Sequence, residues 1–442
     1  MKRRDFILSL STLTATTAIA TEGSYLFLNS ADQILNQDLL IQQAAQNGLS
    51  ILQGLTTQTT TQLSIDVPTS MICEYVLTDD ATNKQVIHSA LKTLTFEGSA
   101  FKVDKLIYTG LELGHTYTLK AINKKNNTVV DQRTLSPVDL DKTNARIAML
   151  SCMRDSTSSI KNMWASALAA DVDYFMFLGD NVYGDLGGSG PDILWQRYIE
   201  TRAKIPFYRW KVLKPVVAIW DDHDFGVNNA GGSYKHRDNS LAQFNTFFAQ
   251  EPIDPVMTRV NKNSWYFKAF QQNFIMFDNR YYRNLKNADS SKSFVGMLQI
   301  DEMDKLVQTS VLPTFVLEGS PFFGRMSKDS YQASAPQELN YLLNKIKAWK
   351  SPVLFGCGDL HYTELARTKK ELIGYETYEF VTSSMHSSRR GVVYEQPNQR
   401  LNVYEQDNFV IVEKTGRPED LTWNMTCVGA NSQRHFATAL KI

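Results

Sequence analysis

The sequence predicts an α/β protein in two parts, a small β-sandwich followed by a larger α/β unit, and three observations carry that reading. Between Leu63 and about Pro137, short and mostly alternating apolar runs are divided by turn residues, which is the pattern of half-buried strands. Beyond about Asn144 apolar strands alternate with helical segments, as in an α/β core. The length, 442 residues of which 43% are hydrophobic, is too great for one small domain and sufficient for a substantial buried core.

Taken in order, Met1 to Ala20 has a basic start (Lys2, Arg3, Arg4), a mild apolar stretch and the small-x-small ending Ala18-Ile19-Ala20, the pattern of a secretory signal. Its apolar part, about 14 residues, is shorter than the roughly 20 that span a bilayer. Arg3-Arg4-Asp5-Phe6-Ile7 resembles a twin-arginine signal, which implies the twin-arginine export machinery as a partner and a periplasmic or extracellular destination. Residues 21–50 read as a helical leader, with Ala31, Ile34, Leu35, Leu39, Ile41 and Ala44 at near-helical spacing and the helix running from Glu22 to Gly48. The Thr/Gln-rich stretch Gln53 to Gln62 reads as a connector.

Within 51–140, strands are expected at Leu63–Val67, Ile72–Leu77, Phe101–Val103 and Tyr117–Ala121. Gly110 to Tyr117 is similar to the turn leading into the tyrosine-corner strand of fibronectin-type domains. Within 141–442, strands are expected at Arg146–Cys152, Tyr174–Leu178, Val216–Trp220, Ser264–Phe270, Phe274–Phe277, Val353–Phe355 and Tyr378–Val381. Helices are expected at Ser158–Ala170 and Asp192–Arg202, with closing strands from Leu401 to Ile442.

Charge and cysteine usage narrow the function. Lys plus Arg equals Asp plus Glu at 46 each, so no overall field attracts nucleic acid or acidic membranes. Four cysteines without a CxxC pair exclude a disulfide scaffold and a zinc ribbon, while seven histidines leave room for a metal site.

The chemistry gathers where apolar strands stop. Ile147 to Ser151 ends at Cys152; Tyr174 to Leu178 runs into Gly179-Asp180-Asn181-Val182-Tyr183-Gly184-Asp185; Val216 to Trp220 runs into Asp221-Asp222-His223-Asp224; and Val353 to Phe355 runs into Gly356-Cys357-Gly358-Asp359-Leu360-His361. Ligands of open α/β sheets bind at the carboxyl ends of strands, so these four ends are expected to converge. Taken singly the pieces are ordinary: Gly-Asp is a common turn, and a lone strand-end Cys is commonly core. Three acids around a His at the end of a buried strand are harder to place without a task, because burying them costs desolvation energy. Aspartates crowded together need cations or bound protons to coexist. A Cys thiolate with a Tyr phenolate favours a ferric ion, and the remaining carboxylates suit a second, harder ion.

These residues resemble the PhoD-type alkaline phosphatases of the metallophosphoesterase superfamily over about residues 60 to 442. The matching pieces are Ser151-Cys152, Gly179 to Asp185, Trp220 to Gly226, Asp278-Asn279-Arg280, Gly358 to His361 and Thr382-Ser383-Ser384. The resemblance implies a β-sandwich followed by a four-layer α/β/β/α catalytic domain. It implies Cys152, Asp180, Tyr183 and His361 as ligands of Fe(III), with Asp180 bridging to a second site. There Asp222 stands where the superfamily usually has Asn and Asp359 where it has His, implying Ca(II), one or two ions, with other divalent metals as alternatives. His223 takes the position of the catalytic His.

The implied reaction is hydrolysis of a phosphate ester by metal-activated water, with His223 protonating the leaving group. Arg280 is a candidate contact for a phosphoryl oxygen, its alternative being an ion pair with Asp278 or another acid. Monoesterase activity with diesterase activity beside it leads; alternatives are a dedicated diesterase acting on cell-envelope or lipid phosphodiesters, and a secreted binding protein whose metal cluster is structural. No Gly-x-Ser-x-Gly elbow supports serine chemistry. Asp221, Asp224, Asn228, Asn229 and His386 have no assigned role at this level. Thr314 to Phe323 and Met385-His386 depart from the family pattern and are expected in loops at the pocket mouth.

Overall fold

The computed structural model describes residues 30–286, 291–324, 330–389, 391, 399–416 and 421–442. The expected export signal, Met1 to Ala20, and residues 21–29 of the leader lie outside them. The leader helix is seen as α1 (Ser30–Asn47), and Leu40 and Ala44, one turn apart, pack it against Leu52, Phe101 and Val103.

Eight strands form the first unit: β1 (Ser50–Thr56), β2 (Thr60–Pro68), β3 (Cys73–Asp79), β4 (Gln85–Val86), β5 (His88–Thr95), β6 (Phe101–Thr109), β7 (Tyr117–Asn123) and β8 (Thr128–Leu135). They make two four-stranded sheets, ordered β1-β2-β6-β5 and β4-β3-β7-β8. Leu63, Ile65, Leu77, Leu106, Leu119 and Leu135 fill the core they share. The Tyr117 hydroxyl accepts the Glu112 backbone N–H at 2.8 Å, closing the turn that precedes β7.

The Thr/Gln stretch is a correction to the sequence reading: all of it except Thr57 to Thr59 lies in β1 and β2. Gln53, Thr56, Thr61 and Gln62 are buried, with hydrogen bonds made within the segment and to the second unit. Gln53 Nε2 reaches Thr56 and Thr61, and Gln62 bonds the backbone of Glu251 in both directions. β5 and β8 escape the sequence reading because β5 is largely exposed and both lie at sheet edges, where no apolar alternation is required.

The second unit has two larger sheets. The first is six-stranded and contains β9 (Arg146–Leu150), β10 (Tyr174–Leu178), β11 (Val216–Ile219), β20 (Asn408–Thr415), β21 (Thr422–Gly429) and β22 (Arg434–Lys441), in the order β11-β10-β9-β20-β21-β22. The second contains β12 (Met257–Asn261), β13 (Ser264–Ala269), β14 (Gln272–Met276), β15 (Thr314–Leu317), β16 (Val353–Cys357), β17 (Thr363–Thr368), β18 (Thr377–Val381) and β19 (Gln399–Tyr404). Its order is β12-β13-β14-β15-β16-β18-β17-β19. β9, β10 and β11 run parallel to one another, and so do β14, β15, β16 and β18.

The strands read as continuous apolar runs because both faces of each sheet are covered. Met149, Met176, Leu178 and Ile219 face Phe274, Met276, Phe315 and Leu317 between the sheets. On the far face of the six-stranded sheet, Leu150, Phe175 and Phe177 meet Trp164 of α2 (Ile160–Ala169), Tyr198 of α3 (Pro191–Lys204) and Phe244 of a further helix, Arg237–Phe247. On the far face of the other sheet, Ile275, Val316 and Phe355 meet Met303 of helix Met297–Val307 and Leu342 of helix Pro336–Ala348. The order of layers is therefore helices, sheet, sheet, helices.

The segment Thr314 to Phe323 corrects the expectation of a pocket-mouth loop. Its first four residues are the central strand β15, and Phe322 and Phe323 are buried in the outer core.

The two units are joined by buried ionic and polar contacts. Arg202 on α3 lies 3.1 Å from Asp66 on β2 and donates to the Ser64 carbonyl and the Phe247 carbonyl. Lys105 on β6 pairs with Glu251 at 2.8 Å. Removing one partner of a fully buried pair leaves the other desolvated, typically costing about 3–5 kcal/mol. Burial already lifts the Asp66 carboxyl to about 7, so it can take up a proton when Arg202 is lost, and Arg202→Met is expected to lower the urea unfolding free energy by less than that amount, about 2–3 kcal/mol, mainly through its lost bonds to the Ser64 and Phe247 carbonyls. Arg146→Met, which removes a half-exposed pair with Glu413, is expected to change it by less than about 1 kcal/mol in the same titration.

Candidate metal centre

The parallel strands of the two sheets bring their carboxyl ends together, and the loops that follow them interlock. Ser151 Oγ donates to the Thr382 carbonyl at 2.6 Å, and Thr382 Oγ1 donates to the Met149 carbonyl at 2.6 Å. Gly358 sits where a Cβ would stand 2.5 Å from the Leu178 carbonyl oxygen and 2.7 Å from Ser151, so only glycine permits this approach.

Cys152, Asp180, Asp359 and His361 all have left-handed backbones, with φ of 55°, 52°, 71° and 57°. Such conformations cost on the order of 1–3 kcal/mol each in non-glycine residues and collect at functional sites. Here they turn four of the six predicted ligands off the ends of their strands.

Ligand atoms of Cys152, Asp180 and His361 lie within 4.8 Å of one another, and so do those of Asp180, Asp222 and His223. Asp180 is common to both groups. Tyr183 joins the first group, its hydroxyl 3.2 Å from His361 Nε2 and 2.9 Å from Ser387 Oγ. Asp359 belongs to neither group, although its charge acts on both Cys152 and Arg280.

The donor set fits metal cations. Asp180 is 1% exposed, and among the described residues its Oδ1 has no hydrogen-bond partner. A buried carboxylate oxygen left in this state requires a proton or a cation. Burial pushes the Asp180 carboxyl well up, with Asp222, Asp221 and Asp224 adding to the rise against the field of His223. Burial likewise raises the Cys152 thiol and the Tyr183 phenol, and Asp180 adds to both. The anions thus exclude one another, and cations reverse that balance.

The outer contacts prepare the donors. His361 Nδ1 donates to the Ser388 carbonyl at 2.6 Å, which sets the tautomer with a lone pair on Nε2. Ser383 Oγ accepts the His361 N–H at 2.8 Å and donates to Cys152 Sγ at 3.1 Å.

The other acids are braced within the protein. Asp224 accepts the N–H groups of Asn181, Val182 and Asp221, and burial lifts its carboxyl to about 7 despite them. Asp278 accepts from Trp220 Nε1 and from the N–H groups of Arg280, Tyr281 and Asn263. Asp221 is held by Arg280 Nε, by Asn279 Nδ2 at 2.9 Å and by Ser320.

Of the two readings of Arg280, the ion pair is the one displayed, made with Asp221 in place of Asp278. Arg280 is 1% exposed, and it also donates to Ser320 Oγ at 2.9 Å. Its remaining link to the site is Nη2, 3.9 Å from Asp222 Oδ2. Burial raises the Asp222 carboxyl, but Arg280, His223, the Asn229 N–H and Arg283 together more than reverse this.

His223 Nδ1 lies 2.7 Å from Asp185 Oδ1, and its ring stacks on Tyr183 with centroids 4.2 Å apart. The His223 and Asp185 side chains are 15% and 19% exposed, so solvent reaches this pair. Burial pushes the imidazole down, while Asp180, Asp222 and Asp185 more than reverse it and leave the net shift well upward. Asn228 and Asn229 act through backbone N–H groups, on Asp185 at 3.1 Å and on Asp222 at 2.6 Å.

Sequence reasoning gave no role to Asp185, Ser383 or Ser387. Asp185 and Ser383 lay inside quoted motifs, whereas nothing local marks Ser387. Met385 and His386 are fully buried, correcting their expected place at the mouth. Trp164 Nε1 donates to His386 Nε2 at 2.9 Å, so Nδ1 carries the proton and faces the Arg154 carbonyl at 3.0 Å.

No family model matches the chain, and no curated protein matches it. Among solved structures, a cyclomaltodextrinase aligns at 10% identity over 69% of this chain with a TM-score of 0.17, and the chain spans 58% of that protein's length. A pullulanase complexed with maltotriose from Anoxybacillus sp. LM18-11 aligns at 10% identity over 70% of this chain and 62% of its own, with a TM-score of 0.15. Scores this low carry nothing about fold or chemistry.

Two outcomes are expected. On the resemblance's implication that the first ligand group holds iron, Cys152→Ser should lose the metal from protein purified without chelator, together with any visible charge-transfer colour, whereas Cys357→Ser and Cys427→Ser should keep both; elemental analysis and absorption spectra read the result. His386 gives an acid sensitivity. Burial lowers it from 6.5 to about 4, so its stabilising contribution is complete above pH 6.5 and is lost as pH falls towards 4. The loss is on the order of 3 kcal/mol. The stability difference between wild type and His386→Gln in urea titrations should therefore shrink across that interval.

Proposed function

We propose that the chain is a metal-dependent phosphoric ester hydrolase of the PhoD type, exported by way of its twin-arginine pattern. The observation that carries this reading is Asp180, a buried carboxylate with an unpartnered oxygen, common to two ligand groups and flanked by a solvent-reached His–Asp pair. Cys152, Tyr183, His361 and Asp180 would hold a ferric ion, and Asp180 with Asp222 a second cation such as calcium, with Asp359 close enough to add its charge. Bound there, the cations supply Lewis acidity, lowering the pKa of water and offsetting charge on a phosphoryl group.

The chain's own residues supply the proton. Asp185 accepts from His223 Nδ1 and orients the ring, and it belongs to neither ligand group. Its hold on the imidazolium therefore survives when Asp180 and Asp222 are engaged by cations. Nε2 is left to protonate a departing alkoxide. Exposure of His223 and Asp185 favours an enzyme over a structural cluster, since structural sites close their coordination.

His223→Ala is expected to lower kcat on an alkyl phosphate by about 10²–10⁴-fold. On 4-nitrophenyl phosphate, whose leaving group departs without a proton, the loss should be much smaller, with metal content near wild type. Loss of bound metal would make His223 a ligand. An equal loss on both substrates with metal retained would instead make it a phosphate contact.

A further inference from the structure

The loop that follows β18 brings two buried serine hydroxyls to the first ligand group. Ser387 Oγ lies 2.9 Å from the Tyr183 hydroxyl and 3.4 Å from His361 Nε2. Ser383 Oγ lies 3.1 Å from Cys152 Sγ. One hydroxyl thus stands beside each of the two candidate ligands, the phenol and the thiol, that give up a weakly acidic proton to bind a cation.

A hydroxyl carries one hydrogen, so the direction of each bond can be followed. His361 Nδ1 gives its hydrogen to the Ser388 carbonyl at 2.6 Å, which leaves Nε2 with a lone pair and nothing to donate. While Tyr183 keeps its proton, it can donate to Nε2 at 3.2 Å and accept from Ser387. Once both ligands give their lone pairs to a cation, Nε2 can neither donate nor accept. The phenolate oxygen is then the acceptor that remains for the Ser387 hydrogen among the described residues. The same count holds at Cys152. Ser151 Oγ, 3.4 Å from the sulfur, spends its hydrogen on the Thr382 carbonyl at 2.6 Å, and Ser383 is left as the donor.

A hydrogen bond to an anionic ligand restrains it and draws off part of the charge it would give the metal. We infer that Ser387 is a positioning residue that donates to the Tyr183 phenolate and limits its donation to the ferric ion, with Ser383 acting alike on Cys152. The inference rests on the ferric reading of the first ligand group and assigns a task to residues outside it. Weaker donation by the ligands keeps more of the cation's Lewis acidity for water and phosphate.

The test loads wild type, Ser387→Ala and Ser387→Thr, each as the full chain, with equimolar Fe(III). Visible absorption is recorded, and resonance Raman excitation in the band identifies phenolate ring modes. Ser387→Ala should keep its iron, and its band should move to longer wavelength, because a phenolate without its hydrogen bond releases an electron at lower energy. Ser387→Thr, which retains a hydroxyl, should return the band to the wild-type position. Against a competing chelator, Ser387→Ala should hold iron about 10–100-fold more weakly. A Ser387→Ala band at the wild-type wavelength, with iron bound and phenolate modes present, overturns the role of Ser387 and leaves the ferric reading standing. An equal shift in the Ala and Thr variants does the same, since it follows packing and not the hydroxyl. Wild type that fails to bind Fe(III), or binds it without phenolate modes, overturns the Tyr183 ligand reading and the inference with it.

Discussion

The structure around the candidate centre depends on one constraint, the burial of a carboxylate oxygen that the protein leaves unmatched. Asp180 ends a strand with both faces covered, and its Oδ1 has no partner among the described residues. Desolvation makes that arrangement costly unless positive charge is supplied from outside the chain. The neighbouring features serve the same constraint. Left-handed backbones turn Cys152, Asp359 and His361 off their strands, Gly358 lets the two sheets close, and the acids nearby are neutralised by other means.

Those acids separate into two kinds. Asp221, Asp224 and Asp278 spend their oxygens on Arg280, on backbone N–H groups and on Trp220, so they stiffen the loops without offering ligands. Asp180 and Asp222 stay turned toward the centre. The run Asp221 to Asp224 therefore mixes a brace, a candidate ligand, an imidazole and a second brace within four consecutive residues. Arg280 belongs with the braces: pairing with Asp221 places a positive charge behind Asp222 and holds the wall from which Asn229 reaches forward.

The β-sandwich contributes through support. Its strands β1, β2 and β6 touch the backbone between Asn245 and Glu251, and β2 receives Arg202 from α3. Helix Arg237–Phe247 packs Phe244 against Trp220, the residue before Asp221.

Periodicity alone located most strands of the second unit, because strands buried on both faces must be apolar throughout. It also marked Cys152, Asp180, Asp222 and His361 as strand-end residues. Edge strands such as β5 were illegible because they are largely exposed, and the polar strands that replace the supposed Gln53–Gln62 connector because their burial is satisfied by hydrogen bonds that leave no apolar pattern. Residue chemistry likewise does not separate Asp221 and Asp224 from Asp222; in the sequence only the family resemblance singled out Asp222, and the partners that tertiary folding brings to each decide which is spent. Ser387 and the Asp185–His223 pair belong to the same class. A hydrogen bond between residues 38 or 204 positions apart leaves no local pattern, whereas a strand end does, because chain geometry sets it from one residue to the next.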